Sequence, residues 1–170
     1  GAQPIVGYNY GARAYGRMKL VLVQAIVLGI AITTPLWATV VLAPDLYAHL
    51  FGLPEIYMKE TAWALVLYLM FIPILPIQTI GSNYFDATGQ AAKATVLTLT
   101  RQILFLIPLL VFCPLVLPQV LPITALESVL LAPSISDITS PLIVSGFLAF
   151  EWRRLRAAEA GEGSNGLHRA

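Results

Sequence analysis

Four long apolar runs divide the chain, and the first two contain no charged residue. A helix rises 1.5 Å per residue, so about 20 apolar residues cross the roughly 30 Å hydrocarbon core of a bilayer. Lipid offers the backbone no hydrogen-bond partners, so such runs are expected to be helical. The pattern predicts four spanning helices, at about 20–43, 61–85, 94–117 and 125–150.

The segments around these spans are more polar. Residues 1–18 predict a cytoplasmic connection, 19–156 a transmembrane part, and 157–170 a disordered cytoplasmic tail. Residues 45–59 predict a short interfacial helix between the first two spans. Trp63 and Trp152 lie near span ends, where tryptophan is typical of a membrane interface.

Composition and charge support a membrane protein. Hydrophobic residues make up 58% of the chain and charged residues 11%, against about 25% charged in soluble domains. Disorder, a coiled coil and nucleic-acid binding are therefore excluded as overall classes. Nine of the ten Lys and Arg residues fall on one side of the predicted bundle, and Lys59 falls on the other. The positive-inside rule then predicts cytoplasmic termini.

Two ionisable residues lie inside the spans. Asp137 is about midway along the fourth, where a carboxylate costs at least ~2.5 kcal/mol unless it is paired or protonated. It is expected either to pair with a basic or hydroxyl group such as Ser134 or Ser140, or to relay protons or cations. Arg101, two turns into the third span, can extend its side chain outward. A pair of Arg101 with Asp137 stays open, although depth counting places Asp137 about 10 Å deeper than Arg101.

Uncharged polar residues cluster in the second and third spans. Gln78 and Ser82 are four residues apart and share a helix face, as do Thr79 and Asn83. Gln102 lies on the third span. These side chains predict either interhelical hydrogen bonds or a hydrated cavity. Every span also has a proline within or close to it, which indicates static kinks or helices that bend during transport.

Catalytic chemistry has little support in the sequence. Cys113 is the single cysteine, so a disulfide or a cysteine-based metal site is not expected. The two histidines, His49 and His168, are far apart in the sequence, and no nucleophile triad or phosphate-binding loop is recognisable. The sequence therefore predicts no catalytic residue, no metal and no cofactor.

Four motifs, in order, resemble the multidrug and toxic compound extrusion (MATE) family. The segment 3–12 is similar to the connection between the family's eighth and ninth helices, and 84–90 to the end of its tenth. The segment 98–108 is similar to the start of the eleventh helix, and 132–137 to the Pro-x-x-x-Asp stretch of the twelfth. The residues that carry the resemblance are Gln3, Pro4, Gly7, Asn9, Gly11, Gly89, Pro108 and Pro133.

The resemblance implies an all-α membrane protein whose four helices are part of the C-terminal six-helix lobe of a twelve-helix transporter. The chain, which does not begin with Met, is then expected to be a C-terminal fragment whose partner is the missing N-terminal part. Gly7, Gly11 and Gly89 are expected to allow tight cytoplasmic turns. The implied location is the plasma membrane, or the inner membrane of a Gram-negative cell.

The implied function is secondary active efflux of organic, often cationic, compounds in exchange for protons or sodium ions. Some family members bind the coupling ion with an acid in the tenth helix, but the span 61–85 has none, so the ion stays open. Membrane lipids are expected partners and nucleic acids are not. Alternatives are a lipid-linked precursor flippase of the same superfamily, a small membrane accessory protein and, with least support, a membrane-embedded enzyme.

Overall fold

The computed structural model describes residues 1–52 and 54–167, and within them the chain is helical and contains no strand. Its α-helices in chain order are α1 to α8. A 3₁₀ turn separates α4 from α5, and a π-helical segment separates α6 from α7. The bounds are α1 Gln3–Gly11, α2 Tyr15–Leu42, α3 Pro44–Leu50, α4 Glu55–Leu69, the 3₁₀ turn Ile72–Ile74, α5 Leu75–Ala87, α6 Ala91–Leu99, the π segment Thr100–Leu106, α7 Ile107–Val120 and α8 Ala125–Leu167.

Within the residues that the structure describes, four helical stretches are long and apolar enough to cross a membrane, which confirms the predicted number of spans. They are called the first to fourth spans: Tyr15–Leu42, Glu55–Ala87, Ala91–Val120 and Ala125–Ala157. All four are longer than the spans predicted from the sequence. Most of the predicted spans end where charged residues begin, whereas a helical backbone can continue through charged residues at its ends. The predicted interfacial helix is present as α3, which is shorter than the segment 45–59.

Prolines interrupt two of the spans and leave the other two continuous. Pro73 lies in the 3₁₀ turn of the second span, and Pro108 follows the π segment of the third. Proline lacks an N–H and its ring clashes with the carbonyl four residues earlier, so a regular α-helix is not maintained there. By contrast, α2 continues through Pro35, and α8 continues through Pro133 and Pro141.

Helix α5 lies between α1, α2 and α8, with a glycine at each contact. A Cβ atom at Gly81 would lie 2.4 Å from Val144 Cγ1, and one at Gly29 would lie 2.8 Å from Pro76 Cβ. At Gly7 it would lie 2.9 Å from the Ala87 carbonyl oxygen. Small residues let membrane helices approach closely. The largest buried apolar side chains gather around these contacts: Met18, Leu22, Tyr84, Phe85, Val144 and Leu148.

The start of α2, the start of α6 and the last part of the fourth span lie at one end of the bundle, here called the basic end because these segments carry Arg17, Lys19, Lys93 and Arg153. Lys93 Nζ lies 3.4 Å from Glu151 Oε2, and Lys19 Nζ lies 4.6 Å from the ring centre of Trp152. These contacts bring the start of α2, the start of α6 and the last part of α8 together, as the antiparallel order of four spans requires.

The predicted glycine turns are confirmed at one position of three. Gly89 connects α5 to α6 with φ of +75°, a conformation that side chains with a Cβ rarely adopt. Gly7 and Gly11 instead lie inside α1.

At the end of the chain, α8 is assigned to Leu167, and the disordered tail at 157–170 stays a prediction. Residues 168–170, including His168, lie outside the described residues.

Candidate functional site: an intramembrane ion pair beside a polar cavity

Arg101 and Asp137 form an ion pair between the third and fourth spans. Arg101 Nη2 donates to Asp137 Oδ1 over 2.6 Å, and Nε donates to the same oxygen over 3.0 Å. The Asp137 side chain is 6% exposed and that of Arg101 is 32% exposed. The pair that the sequence left open is therefore present, and the depth difference of about 10 Å from residue counting was wrong.

The register of the two helices explains the error. Ser136 Oγ donates to the Arg101 carbonyl oxygen over 3.1 Å, so residues 101 and 136 lie at the same level. Depth counting assumes straight helices that are parallel to each other and to the membrane normal. Here Arg101 lies in the π segment, and the partner helix contains two prolines. Both features are known causes of bends, and a bend changes the level at which facing residues meet.

The serines near Asp137 do not pair with it. Ser134 Oγ donates across to the Leu67 carbonyl, and Ser140 Oγ donates to the Ser136 carbonyl over 2.8 Å. Leu67 lies in the last turn of α4, where carbonyls lose their helical partners. Ser134 thus stabilises the end of α4, and the partner of Asp137 is Arg101.

A polar cavity of about 240 Å³ lies beside the ion pair. It brings together four side chains that the sequence singled out, Gln78, Ser82, Asn83 and Gln102, and adds Arg101 as a wall. Asn83 and Gln102 are exposed at its mouth, whereas Gln78 and Ser82 are buried. Its lining residues are Gln78, Thr79, Ser82, Asn83, Thr98, Arg101 and Gln102.

The hydroxyl of Ser82 is buried in the wall of this cavity. Ser82 is 5% exposed, and its Oγ has no hydrogen-bond partner among the described residues. An unsatisfied buried hydroxyl costs about 1–3 kcal/mol. Amides, hydroxyls and one guanidinium line the cavity, so it suits groups that accept and donate hydrogen bonds.

A buried carboxylate at the basic end was missed by the sequence analysis. Glu151 is 2% exposed and accepts hydrogen bonds from Gln90 Nε2 over 3.1 Å and from Lys93 Nζ over 3.4 Å. It directly follows the apolar run that ends at Phe150, so a hydropathy pattern treats it as a flanking charge. The three residues connect the α5–α6 turn to α8.

The motif residues lie apart from the cavity. Gln3 and Pro4 begin α1, and Asn9 Nδ2 donates to the Ile5 carbonyl within that helix over 2.8 Å. Pro108 and Pro133 lie in the third and fourth spans.

At the end of the bundle opposite the basic end, Trp63 Nε1 donates to Glu127 Oε1 over 2.8 Å. Within the described residues, no group of three or more His, Cys, Asp or Glu side chains is placed to hold a metal.

Comparison with known proteins gives one family. The family model MatE matches residues 1–112, which is about two thirds of the chain. No curated protein and no solved structure matches. The matched residues contain the whole lining of the polar cavity, and Asp137 lies beyond them.

Proposed function

The chain belongs to the MatE family of membrane efflux transporters, and on that premise we propose that it forms part of a drug:cation antiporter. Its cargo is a set of organic, often cationic, compounds. The driving force is an inward gradient of protons or sodium ions. Its four long apolar helices make it a multi-pass membrane protein.

The observation that carries this proposal is the ion pair beside the polar cavity. Ionisable residues within a membrane are costly and typically mark an ion or substrate path. Asp137 is buried, and its described hydrogen-bond partner, Arg101, is also a wall of the cavity. A coupling cation that reaches Asp137 replaces Arg101 as its partner, and the guanidinium then turns toward the cavity. This exchange couples the ion to the polar groups around the cargo.

The open mouth of the polar cavity supports the inference that helices from outside this chain cover it. Asn83 and Gln102 are exposed among apolar surfaces, which is unfavourable against lipid. We assign the covering helices to the N-terminal part of the same transporter. The positive-inside rule favours cytoplasmic termini in a cell membrane, since most of the basic residues lie at one end of the bundle.

Arg101 also supports a second candidate, a flippase for lipid-linked precursors. Such a cavity needs cations for phosphate groups, and Arg101 lines this one. The contact with Asp137 neutralises that charge, however, so the antiporter is favoured. A catalytic role is not proposed, because family members are transporters.

The test is an extrusion assay on the transporter that contains this chain, in cells without other drug exporters. Efflux of a fluorescent organic cation is measured at matched membrane levels. Asp137→Asn is expected to lower efflux at least about tenfold, and Glu127→Gln, at the opposite end, is expected to leave it unchanged. Collapse of the proton or the sodium gradient then identifies the coupling ion. Full efflux by Asp137→Asn would contradict the proposal.

A further inference from the structure

A second cavity, separate from the polar one, lies at the basic end between α2 and α8. Its volume is about 140 Å³. Two basic residues, Lys19 and Arg156, and the aromatic ring of Trp152 share its lining with apolar side chains. The lining residues are Tyr15, Gly16, Met18, Lys19, Trp152, Leu155 and Arg156. Both charge and apolar surface are thus present in one small site.

The two cations have no acidic partner there. Among the described side chains, neither Lys19 nor Arg156 forms an ion pair. The charged partners of Glu151 and Asp137 are Lys93 and Arg101, so these buried acids are already neutralised. The described side chains therefore leave the positive charge of this site uncompensated.

Trp152 holds part of this site in place. Lys19 Nζ lies 4.6 Å from the centre of its ring, a cation–π contact that fixes the ammonium group. The indole Nε1 is buried and has no hydrogen-bond partner among the described residues. The cation–π contact thus preorganises one of the two cations, and a preorganised site loses less entropy on binding.

We propose that this cavity binds the head group of an anionic phospholipid. The phosphate lies between Lys19 and Arg156, and the partly exposed rings of Tyr15 and Trp152 contact the glycerol and the first part of an acyl chain. The cavity is at the end of two spans, so lipid head groups reach it directly. Basic pockets between spanning helices are typical sites for such lipids. The inference rests on the proposed membrane placement and is independent of cargo and coupling ion.

The test is binding of phosphatidylglycerol to the purified chain in non-ionic detergent, measured by native mass spectrometry. Phosphatidylcholine is the zwitterionic comparison. Wild type is expected to retain phosphatidylglycerol preferentially. The double variant Lys19→Gln/Arg156→Gln is expected to weaken that binding roughly 25-fold, about fivefold per charge.

The matched control is Arg153→Gln/Arg154→Gln. It removes the same charge from the same end of the bundle, but these exposed residues do not line the cavity. We expect this control to bind phosphatidylglycerol within about twofold of wild type. An equal loss in both double variants would show diffuse attraction and would overturn the proposal.

Two further measurements keep the test decisive. Trp152→Phe retains an aromatic ring under Lys19 and both charges, so it is expected to weaken binding less than the double charge variant. An equal loss would show that the two charges do not hold the lipid and would overturn the proposal. Inorganic phosphate at millimolar concentration is expected not to displace the lipid. Displacement would indicate a free-anion site, and equal binding of phosphatidylcholine would exclude an anionic-lipid site. No gradient or cargo is involved, so either failure leaves the transport proposal standing.

Discussion

Both hydrogen bonds from Arg101 end on one oxygen of Asp137, Oδ1, at 2.6 and 3.0 Å. The other oxygen, Oδ2, makes no hydrogen bond to the residues that the structure describes. The arrangement therefore links the third span to the fourth through a single carboxylate oxygen.

Substitution of one member of this ion pair is expected to destabilise the bundle more than substitution of both members. Asp137→Ala leaves a partly buried guanidinium without its partner and is expected to lower the unfolding free energy by about 3 kcal/mol. Arg101→Met/Asp137→Leu removes both charges and is expected to recover most of that loss. Thermal unfolding in detergent of Arg101→Met, Asp137→Leu and the double variant measures the coupling. Additive effects would show that the pair is energetically neutral.

The polar cavity is expected to be accessible to water. In a Cys113→Ala background, Gln102→Cys is expected to react with a polar maleimide, because Gln102 lines the cavity. The matched control is Ile103→Cys, the next residue along. Ile103 is more than half exposed but is absent from the cavity lining, so it faces lipid and is expected to react slowly. Rates are compared by mass spectrometry in liposomes, and equal rates at the two positions would count against a hydrated cavity.

Two buried serines are expected to respond differently to loss of the hydroxyl. Ser134→Ala removes the hydrogen bond to the Leu67 carbonyl and is expected to cost about 1 kcal/mol. Ser82→Ala removes a hydroxyl with no described partner and is expected to leave stability unchanged or slightly raised. The unfolding temperatures of the two variants, each compared with that of the wild type, measure these changes in stability. A larger loss at Ser82 would mean that a bound water or ligand contributes to the fold.

Close packing of α5 against α8 depends on Gly81. An added methyl group meets Val144 Cγ1 at 2.4 Å, so Gly81→Ala is expected to cost about 1–3 kcal/mol. Gly146→Ala in α8 meets nothing within 4 Å and is expected to be neutral or stabilising.

Val144→Ala in the Gly81→Ala background provides the reciprocal test, since it removes the clashing methyl groups. Partial recovery of the unfolding temperature is expected. No recovery would place the cost of Gly81→Ala elsewhere.

Sequence alone determined the class of the molecule and the number of its spans. Uninterrupted apolar length is a local property, and hydrocarbon forces such segments to be helical. The same reasoning selected Gln78, Ser82, Asn83 and Gln102, because their spacing shows which residues share a helix face. Their common cavity required the packing of α5 against α6, which spacing within one helix does not define.

Tertiary structure alone decided the pairing of Arg101 with Asp137 and the burial of Glu151. Both depend on the relative level of facing helices, and that level is set by the π segment, by prolines and by glycine contacts such as Gly81 with Val144. A sequence gives distances along each helix, whereas an ion pair depends on distances between helices. Arg101 and Asp137 are 36 positions apart in the sequence, and Lys93 and Glu151 are 58 positions apart. They therefore form ion pairs only once the bends and the close contacts are in place.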